Sequence, residues 1–223
     1  MSGSITLENR FGVNKMELIS LKYAIFVIVL LVLYYCFPKK YRWYVLLAGS
    51  MAYYVIICKW YVLFIIFTIC TTYGSTIWID KLLKEQNAIV KSHKEDWDRQ
   101  TRKEYKEKGR KKRVAVMLFA LLCNFGILAF LKYIPYAGEL GLLLPLGISF
   151  YTFQSMGYVM DVYREIVEPE KNFLKVALFV SFFPQIIQGP IAIYDKLAGQ
   201  LYEGHSLRLE NLQKGALLVL WGV

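Results

Sequence analysis

Uncharged, largely apolar residues fill long uninterrupted stretches of this sequence. Four stretches of 18 to 21 residues contain no Asp, Glu, Lys or Arg, and two shorter ones precede them. Because the hydrocarbon core of a bilayer is roughly 30 Å thick, a run of about 18 such residues predicts a transmembrane helix. Basic and aromatic flanks allow the two shorter runs to span as well. The predicted spans lie near residues 18–37, 43–58, 60–79, 114–131, 140–160 and 174–194, with the start of another at 215–223.

Two of these stretches carry residues that would interrupt a simple helical span. Residues 144–155 include Pro145 and Gly147, and residues 181–191 include two prolines, a glycine and two glutamines. Proline removes a backbone donor, and glycine weakens a helix. Inside a bilayer such breaks are tolerated only where they face protein or a water-filled cavity. We therefore predict an all-α, polytopic transmembrane protein whose helices are broken or re-entrant around 144–155 and 181–191.

The composition favours a membrane protein over a soluble one. Hydrophobic residues make up 57% of the 223 positions, and the mean hydropathy is +0.38. A soluble domain of this size would need most of its helices to show a polar face to water, which these apolar segments lack. We predict a multi-pass protein of the cell membrane, with residues 18–223 forming one transmembrane domain in contact with the lipid bilayer.

Positive charge is concentrated between the third and fourth predicted spans. The formal net charge is +10, and residues 80–113 hold 13 of the 27 Lys and Arg residues against seven Asp and Glu. A basic segment can bind nucleic acid, but one that joins two membrane spans is explained by the positive-inside rule. We therefore predict that residues 80–113 form a cytoplasmic basic loop, that residues 1–17 are extracytoplasmic, and that nucleic acid is not a partner.

Polar side chains in and after the broken segments are the candidates for a functional site. Amides and hydroxyls at membrane depth can line a path, or they can simply join helices through hydrogen bonds worth about 0.6–2 kcal/mol each. An Asp and an Arg three residues apart on a helix can pair, an alternative to a chemical role for that carboxylate. The four cysteines show no metal-ligand spacing, so no metal site is predicted. The substrate-path candidates are Ser149, Tyr151, Gln154, Asp161, Arg164, Gln185 and Gln188.

Three motifs carry a resemblance to a known family. Residues 144–155 are Leu-Pro-Leu-Gly-Ile-Ser-Phe-Tyr-Thr-Phe-Gln-Ser, and residues 158–164 are Tyr-Val-Met-Asp-Val-Tyr-Arg. Together with residues 172–191 they resemble the signature of membrane-bound O-acyltransferases, most closely that of the bacterial alginate O-acetyltransferase branch. The resemblance is specific over 144–191 and loose before residue 130.

This resemblance implies a ring of transmembrane helices around a tunnel. In the family, an acyl group from a cytoplasmic thioester, acetyl-CoA or another acyl thioester, passes to hydroxyls of an exported polysaccharide with the help of acetylation partner proteins. No bound cofactor is expected, and the chain itself is expected to supply no catalytic residue. The family's essential histidine lies in the second half of a full-length member, and neither His93 nor His205 matches that position.

The apolar residues 215–223 would cover about 14 Å as a helix, roughly half of a bilayer core. We therefore expect the chain to be the N-terminal part of such an O-acetyltransferase, to stop before the catalytic histidine, and to be inactive alone. Two alternatives stay open. One is a secondary transporter, since broken helices are a transporter feature, and the other is a non-catalytic membrane scaffold of a polysaccharide export complex.

Overall fold

The described part of the chain is largely helical. The computed structural model describes residues 21–93, 97–133, 147–188, 193–206 and 213–215. Short 3-10 turns join the first three helices, and no strand occurs within the described residues. The predicted all-α class is confirmed. The helices are α1 (Leu21–Cys36), α2 (Arg42–Cys58), α3 (Val62–Ser92), α4 (Arg99–Tyr133), α5 (Ile148–Tyr163), α6 (Phe173–Ser181), α7 (Phe183–Gln188) and α8 (Tyr194–Tyr202).

Tight turns separate α1, α2 and α3. Pro38 stands between α1 and α2 with φ −57° and ψ 147°, an extended conformation that does not continue a helix. Lys59 ends α2 with φ 47°, a value on the left-handed side that stops the helix even though the residue is not glycine. Both turns fall at the lysines that separate neighbouring apolar runs in the sequence.

The basic segment is a helical hairpin and not an irregular loop. Residues 80–93 and 97–113, here called the basic arm, continue α3 and begin α4, so both helices run about 20 Å beyond the apolar segments. Gln86 joins the two helices by donating to the carbonyl of Lys106 (2.8 Å). Gly109 leaves the room that the Gln86 side chain occupies. The connection between the third and fourth predicted spans is thus mostly helical, and its cytoplasmic location stays a prediction.

One face of α3 carries small hydroxyl residues inside the bundle. Thr68, Thr72 and Thr76 are buried at four-residue spacing, where α3 packs against α4 and α5. Asn124 of α4 donates to the hydroxyl of Thr71 (2.9 Å). Small residues and hydrogen bonds between helices are the usual means of joining helices in a membrane, where apolar surface alone gives no preference for protein over lipid.

Apolar side chains cover much of the outer surface. The stretches Lys39–Ser92 and Arg99–Lys132 are long and apolar enough to cross a membrane, and Tyr23–Cys36 and Phe173–Ile186 are shorter apolar stretches. Only 28% and 22% of the most apolar windows of the two long stretches are buried, whereas a core helix of a soluble protein would be mostly buried. Leu122, for example, is 73% exposed. The chain is a membrane protein.

The helices α6, α7 and α8 enter the bundle and return. Tyr202, at the end of α8, donates its hydroxyl to the carbonyl of Lys175 at the start of α6 (2.9 Å). The ring of Tyr194, at the start of α8, lies 4.9 Å from that of Phe179 near the end of α6. The helix α8 therefore runs antiparallel to α6, which confirms the predicted re-entrant segment. The nine residues of α6 rise about 14 Å before the chain bends, and the span expected at 174–194 stays a prediction.

Candidate functional site

The start of α5 depends on a glycine. Gly147 precedes the helix with φ 71°, in the left-handed region that residues with a side chain rarely adopt. A Cβ at this position would also overlap the side chain and the backbone carbonyl of Ile186 in α7. Gly147 thus allows α5 and α7 to touch, and it sets Tyr151 and Gln154 one and two turns into α5. Pro145, the other residue of the predicted break, lies outside the described residues.

Side chains from two other helices make hydrogen bonds to the backbone groups that are freed where α6 ends and α7 begins. Phe182 has φ −59° and ψ 107°, so the Phe183 amide no longer points at the carbonyl of Phe179, its usual helical partner. The Phe183 N–H instead donates to Ser50 Oγ of α2 (3.4 Å). Gln154 Nε2 of α5 donates to the vacated Phe179 carbonyl (2.9 Å). Both backbone groups freed by the break therefore have partners, as a membrane interior requires.

Buried hydroxyls that make no hydrogen bond of normal geometry in the described part of the chain surround this break, among them those of Tyr54, Tyr151 and Ser181. The hydroxyls of Tyr54 and Tyr151 are close enough to interact with each other. The two tyrosine rings pack edge to face with centroids 6.2 Å apart. A buried polar atom without a partner costs about 1–3 kcal/mol, so a group of them is typical of a site that water or a ligand completes. We call Ser50, Tyr54, Tyr151, Gln154 and Ser181 the buried polar junction.

The structure brings together only part of the predicted site. Tyr151 and Gln154, 1% and 3% exposed, belong to the buried polar junction. Ser149 is half-buried two residues before Tyr151. Gln185 is half-buried, and its side-chain oxygen is enclosed without a partner. The side chain of Gln188 lies outside the described residues. The substrate-path role of these residues stays a prediction.

Asp161 and Arg164 lie at the other end of α5 and do not pair. Asp161 follows Tyr151 by about 15 Å along the helix. Among the ion pairs of the described residues, none joins Asp161 to Arg164. Helix α5 ends one residue before Arg164, and the Arg164 side chain is exposed. Arg113 of α4 pairs instead with Glu165 (2.8 Å), and the Arg113 side chain is only 10% exposed.

The half of the buried polar junction that lies on α2 was not predicted from the sequence. Ser50 and Tyr54 are four residues apart, so one helix face presents both of them. Two polar side chains four residues apart inside an apolar run could have indicated a buried polar face on α2. The same four-residue spacing occurs in the buried threonines of α3, which were not predicted from the sequence either.

Neither histidine lies at the buried polar junction. His93 follows the last residue of α3, at the far end of the basic arm. His205 follows α8, and its ring bonds the carbonyl of Gln200 (3.0 Å). Arg42, which donates to the backbone carbonyl of His205, lies about 18 Å before Tyr54 along α2. No group of three His, Cys, Asp or Glu side chains placed to hold a metal occurs within the described residues.

Known proteins match parts of this chain. It is 39% identical to the probable alginate O-acetylase AlgI of Pseudomonas syringae over 80 residues, which is 36% of this chain and 15% of the relative. The predicted resemblance is confirmed. The corresponding protein of Pseudomonas aeruginosa is 46% identical over 59 residues, 26% of this chain and 11% of the relative. A peptidoglycan O-acetyltransferase of Helicobacter pylori is 29% identical over 145 residues, 48% of this chain and 28% of the relative.

These similarities are local. The matched stretches span between 11% and 28% of the lengths of these three relatives. No protein-family model matches the chain. No solved structure matches it either.

Proposed function

We propose that this chain is part of a multi-pass, membrane-bound O-acyltransferase that passes an acetyl group across the membrane to hydroxyls of an exported polysaccharide. The observation that carries the proposal is the buried polar junction, where a broken helix, an amide and buried hydroxyls meet inside an apolar bundle. The names of the relatives, alginate O-acetylase and peptidoglycan O-acetyltransferase, support this class of reaction.

The chemistry explains why such a junction is useful. The acceptor oxygen attacks the thioester carbonyl carbon, the C–O bond forms and the C–S bond breaks. The hydroxyl proton passes to a base, and the leaving thiolate takes up a proton. Negative charge builds on the carbonyl oxygen during the attack, and fixed hydrogen-bond donors in a water-poor site stabilise it.

Within this proposal the junction residues have two roles. The hydroxyls of Tyr54 and Tyr151, which interact with each other but make no hydrogen bond of normal geometry in the described part of the chain, turn to donate to the acyl carbonyl oxygen. Gln154 is a positioning residue, because its amide is engaged by the Phe179 carbonyl and holds the helix break in place. Asp161 and Arg164 lie too far along α5 to touch the same acyl group.

The proposed route runs from the basic side of the bundle to the opposite side. The donor is acetyl-CoA or another acyl thioester on the cytoplasmic side, where the positive-inside rule puts the basic arm. The acceptor is the exported polysaccharide, reached directly or through acetylation partner proteins. The break between α6 and α7 supports such a route. It puts polar groups inside the apolar bundle at a point where no continuous helix blocks passage.

The test uses cells in which the gene that encodes this chain is deleted and then restored. Restoration is expected to return O-acetyl groups to the exported polysaccharide, measured as ester-linked acetate released by mild base. Restoration with Tyr151→Phe is expected to lower the transfer rate about 100-fold at equal membrane levels, the usual effect of losing one oxyanion donor.

Tyr44→Phe is the matched control, since Tyr44 lies exposed on α2 away from the junction. It should transfer acetate at the normal rate. Unchanged acetylation after deletion of the gene would contradict the proposed function. A normal rate for Tyr151→Phe would remove only the role given to that hydroxyl.

A further inference from the structure

A groove beside the buried polar junction lies between α1, α2 and the helices α7 and α8. Its volume is about 600 Å³, within the range of ligand pockets. Apolar side chains form most of its walls, among them Val27, Leu31, Leu46 and Phe183. Leu31 is also 40% exposed on α1, so the groove is continuous with the outer apolar surface of the protein.

One end of this groove is polar and positively charged. Tyr34 and Tyr35 line that end, and the Arg42 guanidinium lies over their rings at 5.3 and 5.1 Å. Arg42 uses two of its five N–H donors on the backbone carbonyls of Phe37 and His205. The guanidinium is therefore held in place with donors to spare.

Two more cations stand beside Arg42. Lys39 and Lys40 are exposed in the turn that precedes α2. Gly204 packs against the backbone of Lys39, so the acidic residue Glu203 adjoins this turn among the described residues. Lys39, Lys40 and Arg42 thus cluster their positive charges at this end, which favours an anionic group.

We propose that the groove holds one acyl chain of an anionic phospholipid whose phosphate lies against Lys39, Lys40 and Arg42. The apolar walls match the chain, and guanidinium and ammonium groups are the usual partners of phosphate. The charged end belongs to the side predicted to be cytoplasmic, where the leaflet carries anionic lipids. An acyl chain in this groove contacts α1 on one side and the re-entrant helices on the other, and it therefore links these helices.

Native mass spectrometry of the purified 223-residue chain tests this site. The probes are phosphatidylglycerol and phosphatidylcholine with the same acyl chains, titrated separately into the detergent-solubilised protein. The expected result is one retained phosphatidylglycerol per chain, bound more tightly than phosphatidylcholine. Lys39→Gln with Lys40→Gln should weaken phosphatidylglycerol binding about 5-fold for each lysine removed and weaken phosphatidylcholine binding less, because choline offsets the charge of its phosphate.

Two matched controls separate the site from general effects. Leu31→Trp fills the groove and should abolish retention of the lipid, whereas Leu33→Trp, on an exposed part of α1 that does not line the groove, should not. Lys111→Gln with Lys112→Gln removes two exposed charges from the basic arm and should leave retention unchanged.

Three outcomes would overturn the proposal. They are a wild-type chain that retains no lipid, equal retention by the two tryptophan variants, and an equal loss of phosphatidylglycerol binding in both lysine pairs. The first outcome would also fit a groove that another part of this chain fills. These results can fail independently of the proposed function, because they measure retention of a lipid and not acyl transfer.

Discussion

Gln154 is the residue that connects α5 to the break after α6. Its amide takes the place of the Phe183 N–H on the Phe179 carbonyl. Gln154→Leu keeps the size of the side chain but leaves that carbonyl buried without a partner. We expect a loss of about 1–3 kcal/mol in the free energy of unfolding, measured by SDS titration of the purified chain in mild detergent micelles.

Gln100→Leu is the control for this loss. Gln100 lies on the exposed start of α4 and donates to Glu104 (3.1 Å) at the surface. A surface change of this kind should stay within about 0.5 kcal/mol of the parent chain. Equal destabilisation by the two variants would show that the amide at residue 154 is not special.

Single residues also show how much of the candidate site could be predicted from the sequence. Tyr151 and Gln154 could be predicted because polar groups stand out in an apolar, proline-containing segment. Tyr54 could not be assigned as their neighbour, since it lies almost 100 residues earlier and only packing of α2 against the break brings it there. The pairing of Arg113 with Glu165 depends equally on a long-range contact.

The start of α5 is set by a position that has no side chain. Gly147→Ala would hold alanine at φ 71° and would push against the Ile186 carbonyl of α7. The conformation alone costs about 1–2 kcal/mol, and the displaced α7 adds to it. We expect at least that loss in the free energy of unfolding, measured by the same SDS titration.

Gly126→Ala is the matched control in the interior of α4. No atom lies within 4 Å of where its Cβ would be, so the substitution adds no clash. Alanine is the better helix former by about 0.5–1 kcal/mol, and the variant should be slightly more stable than the parent. A similar change of stability in both glycine variants would contradict the role given to Gly147.

Helix lengths and returns were only partly predictable. Apolar runs located α2, and they located the apolar parts of α3 and α4, because burial in lipid follows composition. The continuation of both helices through the basic arm depends on Gln86 and on i,i+4 pairs such as Lys81 with Glu85 (3.9 Å). The number of charges in the segment does not indicate these contacts. The return of α8 depends on the Tyr202 bond to Lys175, a contact across 27 residues.

Orientation is a property of the whole molecule, and the basic arm predicts it. Ser92→Cys, exposed near the tip of the arm, should resist an impermeant thiol reagent in intact cells and react after permeabilisation. Trp60→Cys, at a position 85% exposed in the turn after α2, should react in intact cells. The parent chain, with its four cysteines, supplies the background. The reverse labelling pattern would contradict the predicted orientation and would indicate the opposite topology.

Acyl transfer requires groups from the whole molecule to meet, and we expect the 223-residue chain alone to show none. Proton abstraction from a sugar hydroxyl needs a base within hydrogen-bond reach and with a pKa near the working pH. His93 stands about 30 Å along α3 from the buried Thr72, and His205 bonds its ring to the Gln200 carbonyl. Asp161 is about 15 Å from Tyr151 along α5.

The measurement is ester-linked acetate on exported polysaccharide in cells that lack the gene and express only residues 1–223. Acetate at the empty-vector level is the expected result, with immunoblots confirming that the chain reaches the membrane. Acetylation above that level would contradict the expectation and would make His205 and Asp161 the bases to examine. His205→Ala and Asp161→Asn would then distinguish them, because only loss of the true base should return acetate to background.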